Sequence, residues 1–490
     1  MRKLISLAVA CVLAATPAVG QQVGAGQPSM ALPELGDASQ VSLTPQMERR
    51  FGELAMREIR SDPAFVDDPE VSAYLDSVGQ RLAAASPDTR QAFMFFVIRD
   101  PTINAFAIPG GVIGVHTGLI TAAQSESELA SVLAHEIAHV TQRHMARQVA
   151  AQQQMQPIAL LALVLGILAA RSNPQAAQAA IVGSQAGMVQ SMLNYSRDFE
   201  READRVGFQI LQQGGYDVNG MPSFFERLQR WSRLYENNAP AYLRSHPLTS
   251  ERIADMQGRA QEAPYRQTPD PLDFQLVRAK LRAEAGTPEQ AVVSAETVMR
   301  ERRFTDEAAA RYGYARALLR AKDVTRASAE VAALRKLGLR DPMIENLAAE
   351  VKRDAGDLQG ARNIYADAMK EYPGNMALRL GYVDTLQRLG QNTEALAILE
   401  SAVKAQPREP RVWSLQAKSY GALGKRTLQH RSLAELYYLQ GSISAAIEQL
   451  QLARAAGDGD FYTLSGIDAR LREFRVDQVE EAKEMKNARR

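Results

Sequence analysis

The sequence predicts an α+β domain, mostly helical with a small edge-strand sheet, followed by an all-α solenoid of paired helices. Three observations carry this expectation. A capped helix displays His135-Glu136-Ile137-Ala138-His139, a strand-like run from Phe93 to Ile98 precedes a Pro109-Gly110-Gly111 turn, and glycines later recur 34 residues apart. At 490 residues the chain has room for two or more domains. Its 57 Lys and Arg balance 56 Asp and Glu. That balance leaves no basic field for a nucleic-acid backbone, and no nucleic-acid partner is expected.

Residues 1–20 read as an export signal. Arg2 and Lys3 supply the charged region, Leu4 to Ala15 the apolar one, and Ala18-Val19-Gly20 a small-residue cleavage site before Gln21. The single cysteine, Cys11, lies in the segment to be removed. Acylation of Cys11 is the weaker alternative, because Ala8-Val9-Ala10 before it is a poor match to a lipidation signal. The mature chain is thus expected to have no disulfide and to work in a bacterial periplasm. Residues 21–40, rich in Gln, Gly, Ser and Pro, read as a flexible leader.

A first folded domain is expected over 41–264. Its Pro109-Gly110-Gly111 turn leads into Val112, Ile113 and Val115 and signals a hairpin, a natural edge on which to hold an extended peptide. Ser125 to Arg147 reads as one amphipathic helix, with Ser125 and Glu128 as a capping box and Leu129, Val132, Leu133 and Val140 as its apolar stripe. Residues four apart share a helix face, so His135 and His139 can address one ion while Glu136 reaches a water on it. Two imidazoles and a carboxylate are a zinc site with an open position. The third ligand is expected from Ser196 to Gly207, where Glu200 and Asp204 are co-facial and Glu202 points away. Arg197, Arg201 and Arg205 leave a plain salt-bridged helix as the rival reading of that run. Ile158 to Ala170 is strongly apolar but spans 13 residues, short of the roughly 20 that cross a bilayer. It is expected either as a buried helix or as a hairpin that dips into a membrane face (a peripheral contact at 158–170) or covers the cleft.

Three blocks then carry a resemblance to a known family: Asn104 to Gly111 with Gly118-Leu119-Ile120, His135 to His139, and Glu200-Arg201-Glu202-Ala203-Asp204. A weaker fourth is Ser245-His246-Pro247 with Arg252. Together they resemble the gluzincin metallopeptidases that include the CAAX prenyl endopeptidases, the heat-shock protease HtpX and the mitochondrial Oma proteases. The resemblance implies that His135, His139 and Glu200 bind one Zn2+, that Glu136 is the general base, and that Asp204 is the proton-donating or transition-state-stabilising acid. His246 is read either as a loop-ordering or substrate-positioning residue or as a fourth zinc ligand that holds the enzyme latent. His116, His144 and His430 are expected to be ordinary.

From 265 to 475 the pattern is repetitive. Gly356, Gly390 and Gly424 are spaced by 34 residues, Gly286 lies upstream, and Lys322 fills one equivalent turn. Ala291, Ala327, Ala361 and Ala395 follow five residues after these turns, where two helices must pack closely. The pattern resembles the tetratricopeptide repeat. The unit after Gly424 departs from it, with Gln429 in place of Ala, and Gly441 with Ala446 restarts it. Residues 476–490 form a charged tail. An exported zinc peptidase with such repeats resembles the periplasmic proteases that serve β-barrel assembly at the outer membrane. That resemblance implies unfolded or stalled outer-membrane proteins as substrates and the β-barrel assembly machinery as a partner of the repeats, with a chaperone role. The alternatives are a repeat-based adaptor with minor proteolysis and a general periplasmic peptidase.

Overall fold

The computed structural model describes residues 43–88, 91–151, 197–234 and 240–488, apart from 265 and 267. The expected signal, the leader and the apolar stretch 158–170 lie outside the described residues. No helix among the described residues is long and apolar enough to cross a membrane.

Two capped helices open the fold. Helix α1 (Pro45–Ser61) starts where Thr44 accepts the Met47 amide, and α2 (Pro69–Ala84) where Asp68 accepts the amides of Glu70 and Val71. Proline at the first helical position suits both, since its missing N–H has no partner there anyway. A three-stranded sheet follows, from β1 (Met94–Ile98), β2 (Ala105–Ile108) and β3 (Val112–His116), in the order β1-β3-β2. The Pro109-Gly110-Gly111 turn makes the expected hairpin, but its arms are β2 and β3. The 93–98 run lies on the other side of β3 and pairs with it in parallel. The four residues of β2 are too few for alternation to reveal them. Gly110 and Gly111 have φ of 91° and 81°, and a Cβ on Gly110 would strike the Glu48 carbonyl of α1.

Helix α3 (Thr117–Ala122) leads to α4 (Glu126–Thr141), which carries His135 and His139. Every residue from Glu126 to His139 is buried, so α4 is the central helix of the domain rather than the amphipathic helix expected. Its capping box forms by half. Ser125 accepts the Glu128 amide, but the Glu128 side chain accepts from Gln124 N (2.6 Å) and pairs with the buried Arg227. The helix also ends before Arg147. Arg143 turns left-handed (φ 51°), and its guanidinium reaches the Leu43 carbonyl (2.6 Å) and Glu48 (3.4 Å) at the start of the fold. A new helix, α5 (His144–Ala151), then begins in a different direction.

Across α4 lies α6 (Arg197–Gln213), followed by α7 (Gly220–Leu234), the short α8 (Ala241–Ser245) and α9 (Ser250–Glu262). Gly207 permits the α4–α6 crossing, because a Cβ there would sit 3.1 Å from the His135 backbone.

The helix pairs follow as α10 (Leu272–Glu284), α11 (Pro288–Glu301), α12 (Glu307–Arg320), α13 (Val324–Lys336), α14 (Pro342–Asp354), α15 (Leu358–Glu371), α16 (Met376–Arg388), α17 (Asn392–Ala405), α18 (Pro410–Ala422), α19 (Arg426–Leu439), α20 (Ile443–Ala455) and α21 (Phe461–Ala488). Gly286, Gly356, Gly390 and Gly424 all have positive φ at the turns, and Lys322 takes the same conformation (φ 65°) without glycine's freedom. The alanines five residues on are buried at the crossings. Where Gln429 replaces Ala, room comes from the opposite helix, at Gly421. The restart at Gly441 falls half a period after Gly424, so α19 closes one pair with α18 and opens the next with α20.

No gap in the core separates the first domain from the helix pairs. One hydrophobic cluster runs from Val66 through Leu133 and Phe274 to Val351, and the described residues form one compact unit. Lys280 of α10 is buried between Asp68 and Glu70 (2.5 Å each), while Asn346 of α14 donates to Glu70 (2.8 Å). Further along, Arg411 pairs with Asp67 (2.8 Å) and Arg57 lies over the Tyr438 ring (5.3 Å). The array therefore curls back against α1 and the start of α2.

A candidate metal centre between two crossed helices

The α4–α6 crossing brings distant residues to one point. One donor atom each from His135, His139, Glu200 and His246 lies within 4.8 Å of all the others, and all four side chains are buried. His135 Nε2 is 3.0 Å from His139 Nε2 and 3.4 Å from His246 Nδ1. Glu200 Oε1 is 3.0 Å from His246 Nδ1 and 3.4 Å from His139 Nε2, and its Oε2 is 3.6 Å from His135 Nε2. A tetrahedral ion with arms of roughly 2.05 Å needs edges of about 3.3 Å between its ligands. The four groups fit a small divalent cation at that spacing.

His246 ends α8 and stacks on Tyr242 of the same helix (centroids 4.6 Å apart, planes at 25°). The Tyr242 amide donates to the Ile103 carbonyl (3.1 Å), which ties this segment to the chain entering β2. Glu136, one residue past the first histidine, is fully buried; its Oε1 lies 3.4 Å from His246 Nε2. Burial pushes the Glu136 carboxyl up, and the nearby His246 and His135 only partly offset this. The Tyr242 hydroxyl is likewise buried without a hydrogen-bond partner among the described residues. Unsatisfied polar atoms of this kind are what a site for a polar substrate requires.

A second layer holds these four side chains. Asp204 does not face the centre of the cluster. Its Oδ1 is 3.0 Å from His135 Nδ1, the ring nitrogen turned away from the other three groups. Arg252 of α9 clamps the same carboxylate through Nε (2.6 Å) and Nη2 (2.8 Å) and reaches Glu200 Oε2 (2.8 Å) through Nη1. Burial would raise Asp204, but its bonds to Arg252 and His135 outweigh that and hold it below the usual carboxylate range. An ionised, doubly bonded carboxylate behind the ring is ill placed to give up a proton. His144, expected to be ordinary, instead packs against the cluster. His144 Nδ1 is 2.8 Å from His139 Nδ1, and its Nε2 is 3.2 Å from Glu202, which Arg147 also grips (2.8 Å). The ring stacks on Phe199 (4.6 Å, 12°), and burial pulls its pKa down to about 4. Only the backbone break at Arg143 turns His144 towards His139, so helical spacing gave no signal for it. His116 and His430 have local partners in Thr102 (2.9 Å) and Gln449 (2.8 Å).

Comparison with known proteins agrees with this architecture. Residues 69–260 match the peptidase family M48, and 352–419 match a tetratricopeptide repeat. A Vibrio cholerae relative is 33% identical over 442 residues, covering 85% of this chain and 86% of the relative. The β-barrel assembly-enhancing protease of Escherichia coli is 30% identical over 483 residues, covering 96% and 97%. The mitochondrial metalloendopeptidase OMA1 of Schizosaccharomyces pombe is 31% identical over 219 residues, covering 44% of this chain and 62% of that one. A catalytic core of the M48 type joined to helical repeats, with similarity of this extent, makes the chain a metalloendopeptidase that belongs to the family of β-barrel assembly-enhancing proteases.

Proposed function

We propose that this chain is a periplasmic zinc endopeptidase, and a chaperone, that removes or assists misfolded or stalled outer-membrane β-barrel proteins. The meeting of four donor atoms beside Glu136 supports this reading most directly. In it, His135, His139 and Glu200 hold Zn2+, a donor set typical of peptidase sites with an open position. When bound, the ion polarises the scissile carbonyl and acidifies a water. Glu136 accepts that water's proton, a task helped by its raised carboxyl. Asp204 serves as a positioning residue: it accepts from His135 Nδ1 and so directs Nε2 to the ion. The substrate adds as a strand along β2, which pairs with β3 on one side only. Strands of an unassembled barrel have free edges suited to such capture.

His246 closes the site in this reading. With Nδ1 at the fourth corner it takes the position a water needs, and its stacking on Tyr242 keeps it there. Activation then requires that the 240–246 segment release Ile103 and swing out. The sequence divides, on this proposal, into a signal (1–20), a leader (21–40), the peptidase (41–264), the repeats (265–475) that engage the barrel-assembly machinery, and a charged tail (476–490).

The test is cleavage of a stalled outer-membrane barrel in cells by wild type, Glu136→Gln and His246→Ala, with zinc measured on each purified protein. The expected result is one zinc per chain in wild type and Glu136→Gln, no cleavage by Glu136→Gln, and faster cleavage by His246→Ala. A cellular phenotype left intact by Glu136→Gln would favour the adaptor instead. Wild-type protein without stoichiometric zinc would sink the zinc reading.

A further inference from the structure

Arg252, in the first turn of α9, is buried beside the metal centre, and its guanidinium is fixed on three sides. Nε and Nη2 grip the two oxygens of Asp204 (2.6 and 2.8 Å), Nη1 donates to the Pro247 carbonyl (2.7 Å), and the group lies over the Phe225 ring (5.3 Å). A planar fork held in this way has no freedom to turn. Its position leaves Nη1 2.8 Å from Glu200 Oε2.

The two oxygens of Glu200 therefore have different neighbours. Oε1 sits among the histidines, 3.0 Å from His246 Nδ1 and 3.4 Å from His139 Nε2. Oε2 has no hydrogen-bond partner among the described residues, so the charge of Arg252 is what holds it. Both side chains are almost wholly buried (Arg252 4% exposed, Glu200 1%), and an ion pair there is little screened. Oε2 is also only 3.6 Å from His135 Nε2, so a small turn of the carboxyl group would bring both oxygens towards one ion. A carboxylate can ligate through one oxygen or through both. Ligation through both would fill a position that an open site keeps for water or the scissile carbonyl.

We propose that Arg252 is a positioning residue that restricts Glu200 to a single ligating oxygen, Oε1, and so keeps one coordination position free for the reaction. The inference rests on the zinc reading above. It also accounts for arginine rather than lysine at this position. An ammonium is a point charge, and it cannot bond Asp204 through two atoms, hold the Pro247 carbonyl and face Glu200 at once.

Cobalt(II) in place of zinc reports the number of donors, because its visible absorption is strong with four and severalfold weaker with five. Full-length wild type should take up one cobalt per chain and show the strong band, whether His246 or water fills the fourth corner. In Arg252→Gln the freed Oε2 should join the ion and weaken the band severalfold, and X-ray absorption of the zinc form should show one more light-atom neighbour. A purely structural role would lower the melting temperature of the metal-free protein without adding a donor. Arg252→Gln leaves Asp204 a buried charge with His135 as its partner. If that variant does not fold, Arg252→Gln combined with Asp204→Asn removes the charge, still frees Oε2 and carries the test. A weak five-donor band in wild type overturns the proposal, as does a strong band unchanged in either variant. Loss of all metal from a folded variant overturns it too, because Arg252 then serves metal binding rather than the choice of oxygen. Wild type without stoichiometric metal is a different failure, since it removes the zinc reading itself and this inference with it.

Discussion

Replacing Gly207 with Ala tests whether the crossing of α4 and α6 sets the metal geometry. The added Cβ would lie 3.1 Å from both N and Cα of His135 and 3.2 Å from the carbonyl carbon of Ala134. All three are backbone atoms of α4, so none can rotate away as a side-chain tip could. Ordinary contact needs about 3.5–4.0 Å, and α6 must retreat by a few tenths of an ångström. Over-packing of this sort costs about 1–3 kcal/mol, while alanine in place of glycine returns about 1 kcal/mol of helix propensity. The net loss of stability is about 0–2 kcal/mol. Metal binding should suffer more, because Asp204 and Glu200 ride on α6 one and two turns before Gly207 and must keep their distance to His135. Ligand distances tolerate only about ±0.2 Å, and disturbed support of ligands weakens metal binding by about 10- to 100-fold. Competition with a chromophoric zinc chelator, alongside thermal melts with and without zinc, separates the two effects. A Gly207→Ala protein that melts higher than wild type and holds zinc as tightly would refute the reasoning.

Two further substitutions probe other parts of the molecule. His144→Phe keeps the stacking on Phe199 but removes the nitrogen 2.8 Å from His139; zinc affinity by chelator competition should fall about 10- to 100-fold with little change in the metal-free melting temperature, and unaltered affinity would remove His144 from the site. Asp341, which caps α14, is raised to about 7 by burial and by its hydrogen bond with Asp273. Because the folded chain then holds a proton that the unfolded chain releases near pH 4, stability from this group is present at low pH and declines as pH rises from about 4 to 7. Asp341→Asn keeps an equally good cap, so in urea melts it should stabilise by about 1–3 kcal/mol at pH 8 and by little at pH 4. A gain of the same size at both values would contradict the assignment.

Local spacing made much of the centre legible. His135 and His139 are one turn apart, as are Glu200 and Asp204, so each pair had to share a face wherever its helix went. The repeats were legible for a similar reason, since left-handed glycines at Gly356, Gly390 and Gly424 recur with the helix pairs they join. What stayed hidden depended on where the chain changes direction. His144 reaches His139 only because Arg143 breaks the helix, and β2 was too short for alternation to show it. The order of the sheet followed from neither.

The chain alone determined which chemical groups were available and how they were spaced within each helix, because those relations are covalent and local. Tertiary structure decided which groups meet. It placed Asp204 behind His135 and Arg252 across both carboxylates, and it set His246 Nδ1 at the fourth corner of the cluster. It also welded the first repeats to the peptidase through Lys280, Asp68 and Glu70. Such contacts join residues tens to hundreds of positions apart, and their geometry is fixed by how closely the helices pack, which no local pattern encodes.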